Sequence, residues 1–298
     1  MVSPLRQSMR IAAGAELQSK VVVMPLIPGS IRRGFRVRSD LSYAKYSRAT
    51  WEWWCRRNGA DFVVIDAPVS DPDYAQMPPT LQRWAVVNRL IEERGQGVQV
   101  AMVDADTMIR WDAPDLFGQS RGLSAVADAS PPDWIERSTR NFQHLFPGTS
   151  LPWWEYFNTG IVVVGAAQRR VVRTFLDYAV TNWPALNAAI KEGRNGTDQT
   201  PFNFIVKREG EPVFFLPRPF NFLHCFPLEG ELIDMELSPA PDAALFAEKA
   251  FARPWVLNFV AHGYIWHFTN VVAMRSAVMR ETWLRVRHYY PGAVCDDP

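Results

Sequence analysis

The segment Val98-Gln-Val-Ala-Met-Val-Asp-Ala-Asp-Thr-Met-Ile-Arg-Trp111 constrains the fold more than any other part of the chain. An apolar run follows the turn signal Gly95-Gln-Gly97 and stops abruptly at two carboxylates, Asp104 and Asp106. A run of this kind reads as a fully buried strand of an α/β sheet. Ligands of such sheets collect at the carboxyl ends of the strands. In an extended chain, residues two apart point the same way, so both carboxylates can face one cation. The plainer alternative for a bare Asp-x-Asp is a strand end that turns into solvent, so the pair needs support from elsewhere in the chain.

The remaining pattern alternates strands with helices, as expected of a mostly parallel sheet covered on both faces. Lys20 to Ile27 is the expected first strand, closed by Pro28-Gly29. A helix opens at Ser39, runs through about Arg57 and ends at Asn58-Gly59. Phe62 to Ile65 is the second strand. After the Pro-rich stretch Asp71 to Pro79, a helix over about Thr80 to Arg94 leads into the carboxylate-tipped strand. Further on, Leu123 to Ala127 reads as a strand and Pro131 to Pro152 as a loop or short helices. Phe157-Asn-Thr-Gly-Ile-Val-Val-Val164 reads as a strand behind a polar corner, and Arg169 to Asn182 as a helix. Thr197 to Val206 reads as a capped helix with Asp198 and Gln199 in its first turn. Short strands are expected near Val213 to Leu216 and Val256 to Val260, and a last helix over about Val272 to Tyr289.

Composition limits the function classes. At 298 residues and 48% hydrophobic content the chain can bury a large core. A formal net charge of +1 argues against a dominant nucleic-acid or anionic-membrane surface. Cys55, Cys225 and Cys295 lack metal-type spacing. No apolar stretch reaches the roughly 18 residues that a membrane-spanning helix needs. Residues 1–19 read as a mobile tail. The expected setting is cytoplasmic, free or peripheral to a membrane, or lumenal if the natural gene encodes an anchor.

Four landmarks in order, Val103-Asp-Ala-Asp-Thr107, Phe157-Asn-Thr-Gly-Ile161, Thr197-Asp-Gln-Thr200 and His267-Phe268, carry a family resemblance. The chain resembles GT-A-fold glycosyltransferases, in particular the glycogenin and bacterial α-galactosyltransferase group and the fungal and plant α-mannosyl-, galactosyl- and xylosyltransferases. The resemblance implies a Rossmann-like nucleotide-diphospho-sugar transferase fold as one domain over residues 20–298. Residues 20–118 would form the nucleotide-binding half, and residues 119–298 the acceptor half with the C-terminal helix.

The resemblance also implies site roles. Asp104, Asp106 and His267 would hold a divalent cation, Mn²⁺ in preference to Mg²⁺ for an O,O,N set, with His262 as the rival ligand. Asn158 would approach the transferred sugar or the acceptor, and otherwise is a turn residue beside a flexible Gly160. Asp198 and Gln199 would lie beneath the donor sugar; Asp198 otherwise serves only its helix start. Relatives carry Gly three residues and Lys six residues after the late His, where this chain has Asn270 and Ala273. Arg275 is the expected substitute for the missing phosphate contact. Arg83 is either a donor-site residue or an exposed helix cation. Trp153, Trp154 and Trp266 adjoin the landmarks, the first two as candidates for an acceptor cleft.

The implied activity is metal-dependent transfer of a hexose or pentose from a nucleoside diphosphate sugar, UDP favoured, to a hydroxyl acceptor such as a glycan, with retention of configuration. An inverting reaction would recruit Asp198 as base. Two other classes remain: a nucleotidyltransferase, for which Pro28-Gly-Ser-Ile-Arg-Arg33 is a weak phosphate loop, and a non-catalytic sugar-binding protein.

Overall fold

The computed structural model describes residues 19–27, 41–75, 77–193, 197–223, 230–238, 242–253, 261–269 and 271–295. The expectations for Pro28-Gly29, the Pro28–Arg33 loop, the helix start at Ser39, Cys225, the strand at Val256–Val260 and Asn270 fall outside these residues, as does the tail up to residue 18.

Strand β1 (Ser19–Pro25) begins within the expected tail, since Ser19 already pairs with Val98. Helix α1 (Ala44–Asn58) ends where Gly59 turns left-handed at φ 64°, a conformation with little cost for glycine. Strand β2 (Asp61–Ile65) follows, then the short helix α2 (Pro72–Ala75) inside the Pro-rich stretch. Helix α3 (Pro79–Arg94) starts on a proline whose missing N–H costs nothing at that position, and it leads to β3 (Val98–Val103). The chain continues through β4 (Thr107–Ile109), α4 (Leu116–Gln119), β5 (Leu123–Ala127) and α5 (Pro132–Phe142). Next come β6 (Phe157–Gly165), α6 (Arg169–Thr181), α7 (Trp183–Gly193), α8 (Gln199–Arg208) and β7 (Val213–Phe215). The remainder comprises β8 (Phe222–Leu223), α9 (Glu231–Leu237), α10 (Ala243–Phe251), β9 (Ile265–His267) and α11 (Arg275–Val286).

The central sheet has the order β2-β1-β3-β6-β5-β7. It is mostly parallel as expected, with one exception at its centre: β6 runs against both β3 and β5. Because its strands are covered on both faces, alternate residues feed two cores. Val22, Met24, Ala101, Val103, Ile161 and Val163 pack toward Trp51, Trp54 and α11. Val21, Val23, Val100, Met102, Val162 and Val164 pack toward Trp84, Phe175 and Phe202 on α3, α6 and α8. A second, three-stranded sheet, β4-β9-β8, was not anticipated.

The carboxylate pair does not sit on an extended strand. β3 ends at Val103, and the chain turns so that the Thr107 N–H donates to the Asp104 carbonyl at 3.2 Å. Thr107 Oγ1 donates to the same carbonyl at 2.6 Å and accepts from Trp51 Nε1 at 3.0 Å. The turn, rather than strand periodicity, brings Asp104 and Asp106 to one side. The corner at Asn158 is likewise a strand irregularity: β5 pairs Ala125 with Val162 but Val126 with Asn158, so residues 159–161 bulge from that ladder.

Thr107 is fully buried, and Thr107→Val keeps its volume while leaving the Trp51 N–H unpaired. Loss of about 1–3 kcal/mol is expected in urea unfolding.

Candidate active site

Three chain segments converge at the carboxyl end of β3. The Asp104 N–H donates to the Gly160 carbonyl at 2.8 Å, which carries the β3–β6 ladder one residue past the strand. β9 pairs with β4 so that His267 lies opposite Thr107, and the Phe268 N–H donates to the Asp106 carbonyl at 2.9 Å. His267 Nε2 therefore stands 3.2 Å from Asp106 Oδ1 and 3.6 Å from Asp104 Oδ2. One ligand atom from each of Asp104, Asp106 and His267 lies within 4.8 Å of the others. At metal–ligand distances of roughly 2.1 Å, neighbouring ligand atoms of an octahedral site are about 3 Å apart, so the set fits a small divalent cation. His262 is exposed and outside this group.

Gly160 does not supply flexibility here. It supplies room: a Cβ at this position would lie 2.3 Å from His267 Cε1, 2.8 Å from Asn158 Oδ1 and 2.9 Å from Asp104 Oδ2. Glycine lets the strand backbone run directly beneath the three side chains.

Arg83 is not an exposed helix cation, being 2% exposed. Its Nη1 donates to Asp104 Oδ1, its Nη2 to Asp198 Oδ2 at 2.6 Å and to Thr159 Oγ1 at 3.1 Å. Asp198 flanks α8 at its start but does not cap it. Its Oδ2 instead accepts from Arg83 and from Trp84 Nε1 at 2.8 Å. Burial and the two carboxylates have opposing effects on Arg83; the carboxylates prevail and raise its pKa.

The two carboxylates of the turn diverge. Burial raises the Asp104 pKa, partly offset by Arg83. Burial also acts upward on Asp106, but Arg275 and His267 outweigh it and hold the carboxyl well below the ordinary range. Arg275 Nη2 reaches Asp106 Oδ2 at 2.9 Å, and its guanidinium lies over the Tyr43 ring at 5.2 Å. Tyr43, Pro25, Leu26, Thr80, Arg83 and Asp106 line a cleft of about 180 Å³ beside the carboxyl end of β1.

Asn158 and Gln199 meet at Asp128, a residue not anticipated as part of the site. Asp128 Oδ2 accepts from Asn158 Nδ2 at 3.1 Å and from Gln199 Nε2 at 2.9 Å. The Gln199 carbonyl accepts from the Thr159 N–H at 3.1 Å. Asp128 directly follows β5, and the rule that ligands gather at strand carboxyl ends was the signal that could have found it. Asn221, in a 3-10 turn, has no sequence signal; its Oδ1 lies 2.9 Å from His267 Nδ1. Trp266 is fully buried, whereas Trp153 and Trp154 are 44% and 62% exposed.

The chain is similar to a glycosyltransferase involved in glycosylation of the major capsid of PBCV-1, with a TM-score of 0.51 at 11% identity over 88% of this chain and 99% of that one. The fold is that of a GT-A glycosyltransferase. Similarity extends to the galactosyltransferase LgtC in complex with donor and acceptor sugar analogs, with a TM-score of 0.43 and 15% identity over 89% of this chain and 96% of that one. It extends also to mouse xyloside xylosyltransferase 1, with a TM-score of 0.45 and 12% identity over 85% and 98% of the two chains. No family model and no curated protein sequence matches the chain. Among the described residues of this GT-A fold, no helix is long and apolar enough to cross a membrane.

Two substitutions probe how the site is built. Gly160→Ala is expected to destabilise by about 1–3 kcal/mol through overpacking, whereas Gly97→Ala, where an added Cβ meets nothing within 4 Å, serves as the control in the same urea titration. Arg83→Met leaves Asp198 buried without its counter-charge, and about 3–5 kcal/mol should be lost in denaturant unfolding.

Proposed function

We propose that this chain is a metal-dependent glycosyltransferase that moves a sugar from a nucleoside diphosphate sugar, with UDP as the favoured nucleotide, to a hydroxyl of a glycan or similar acceptor. The observation that carries the reading is the approach of Asp104, Asp106 and His267 to one another beside the cleft at the carboxyl end of β1, within the GT-A fold. These three side chains would hold the cation, Mn²⁺ by donor type, with Mg²⁺ as the alternative. When bound, the ion supplies Lewis-acid stabilisation to the departing diphosphate.

The chain's own residues have separable tasks in this scheme. Tyr43 and the β1 end bound the nucleoside cleft. Arg275, already beside Asp106, offers a planar guanidinium to phosphate oxygens. Gln199 and Asp198 lie on the donor-sugar side, and Asn158 fixes polar groups beneath it. Trp153 and Trp154 offer exposed aromatic faces to an acceptor.

Asp198 bears on stereochemistry. A general base needs a lone pair free to reach the acceptor proton. Asp198 is 3% exposed, and its Oδ2 is occupied by Arg83 and Trp84. That engagement disfavours its use as an inverting base and supports retention, in which the leaving phosphate takes the proton. Asp198 is then a fixed negative charge opposite a developing positive one.

The test is incubation with Mn²⁺ and a panel of UDP- and GDP-sugars, with donor hydrolysis and transfer to glycan acceptors as readouts. Metal-dependent turnover is expected with at least one donor, reduced at least 100-fold in Asp106→Ala. In a parallel incubation with a nucleoside triphosphate and a sugar 1-phosphate, pyrophosphate release would identify a nucleotidyltransferase instead, and silence in both incubations a binding protein. Mn²⁺ affinity should weaken on acidification while pH is still above the ordinary carboxylate range, because Asp104 takes up its proton early.

A further inference from the structure

Behind His267 the polar side chains form a chain of hydrogen bonds whose direction is fixed at its far end. A carboxylate offers only acceptors, so Asp128 Oδ2 obliges Asn158 to turn its amide nitrogen toward it, at 3.1 Å. The Asn158 carbonyl then faces inward, where it accepts from the Gly160 N–H at 2.8 Å. A backbone N–H is always a donor, so the orientation of Asn158 is locked from both ends. The same carbonyl accepts from Asn221 Nδ2 at 2.9 Å. With its nitrogen committed, Asn221 can present only its carbonyl Oδ1 to His267 Nδ1, 2.9 Å away. Asn158 is 9% exposed and Asn221 2%, so bulk water does not compete for these bonds.

We propose that Asn221, held by Asn158, is a positioning residue that fixes His267 with its proton on Nδ1 and the Nε2 lone pair directed at a divalent cation shared with Asp104 and Asp106. The inference rests on the cation reading of the site. Chemically, an imidazole can ligate only through an unprotonated nitrogen, and the hydrogen bond made by the other nitrogen decides which one that is. The opposite tautomer would point Nε2–H at the carboxylate oxygens 3.2 and 3.6 Å away and oppose a cation there. A reversed Asn221 amide would favour that tautomer, and Asn158 prevents the reversal. Asn158 thereby acts through the metal ligand, in addition to any contact with sugar.

The experiment uses the full chain without metal, then with Mn²⁺ alone. ¹⁵N shifts of the His267 ring report the tautomer at pH 8, and electron paramagnetic resonance titration reports Mn²⁺ affinity. Asn221→Leu is expected to move the proton toward Nε2 and to weaken Mn²⁺ binding by at least about tenfold. Asn158→Leu, which frees the Asn221 amide to reverse, should shift both readouts the same way and serves if Asn221→Leu does not fold. Asn221→Asp keeps an acceptor against Nδ1–H, so it should retain the wild-type tautomer and bind Mn²⁺ better than Asn221→Leu. A role in packing alone predicts the reverse order, since Asp places a charge in a buried position.

Wild-type tautomer and affinity in folded Asn221→Leu, or Asn221→Asp no better than Asn221→Leu, overturns the proposal. His267→Ala separates this failure from that of the underlying reading. If that variant binds Mn²⁺ as the wild type does, the cation site itself is wrong; if it loses Mn²⁺ while Asn221→Leu keeps it, only the positioning role falls.

Discussion

The buried Arg83 guanidinium is the interaction around which the site is assembled. It comes from the second turn of α3, the helix that feeds β3, and binds Asp104 from the turn after β3, Asp198 from the start of α8 and Thr159 from β6. A buried charge without partners is costly, and a planar fork of donors can satisfy several acceptors at once. One side chain thus ties together elements separated by more than a hundred residues. Trp84, its neighbour in sequence, packs against Phe202 of α8 with ring centroids 4.0 Å apart and planes tilted by 32°, so the polar bridge is backed by aromatic packing between the same two helices.

Two departures from regular pairing bring the remaining groups to that bridge. The bulge of β6 against β5 sets Asn158 and Gly160 in one plane of contacts. Asn158 reaches Asp128 while Gly160 leaves space for His267 and Asp104. The small sheet then returns the chain from β8 and β9, placing His267 against Thr107 and Asn221 behind the imidazole. The small sheet also contributes Met108, Ile109, Ile265 and Trp266 to the core. The effect of both devices on the site is geometric, and irregular pairing next to a functional site is where such strand defects concentrate.

Much of this was legible in the sequence, for identifiable reasons. β3 and β6 contain apolar runs at residues 100–103 and 161–164, and residues of that kind buried on both faces have few alternatives to a central strand. Pro79 and Gly59 mark helix ends because the backbone at those points tolerates little else. What periodicity did not supply was direction or distance. The antiparallel sense of β6 and the pairing of β4 with β9 depend on contacts across the whole chain. The turn geometry at Asp104 looks the same in sequence as an extended chain would. Gly160 was read as a source of backbone freedom, yet its need is steric. Asp128 is marked in the sequence only by its place directly after β5, and Asn221 by nothing but the hydrogen bonds it makes in the fold.

Charge accounting explains why a site of this construction would hold a cation more tightly with an anionic ligand than alone. Asp104, Asp106 and Asp198 face Arg83 and Arg275, so the cluster is already close to balance. A divalent cation arriving alone would replace an existing attraction rather than answer an open one, and it would meet two guanidinium groups nearby. Arriving with a diphosphate, it brings negative charge that both guanidinium groups can share. Arg275 holds Asp106 through Nη2 and the Phe268 carbonyl through Nε at 3.0 Å, and the edge carrying Nη1 has further donors. On the proposed reading that edge serves phosphate oxygens while the guanidinium stays over the Tyr43 ring. On the proposed reading, the opposed shifts of Asp104 and Asp106 express the same division of labour: Asp106 stays charged because Arg275 supports it, and Asp104, for which burial outweighs the support of Arg83, is the one for which a cation has the most to add.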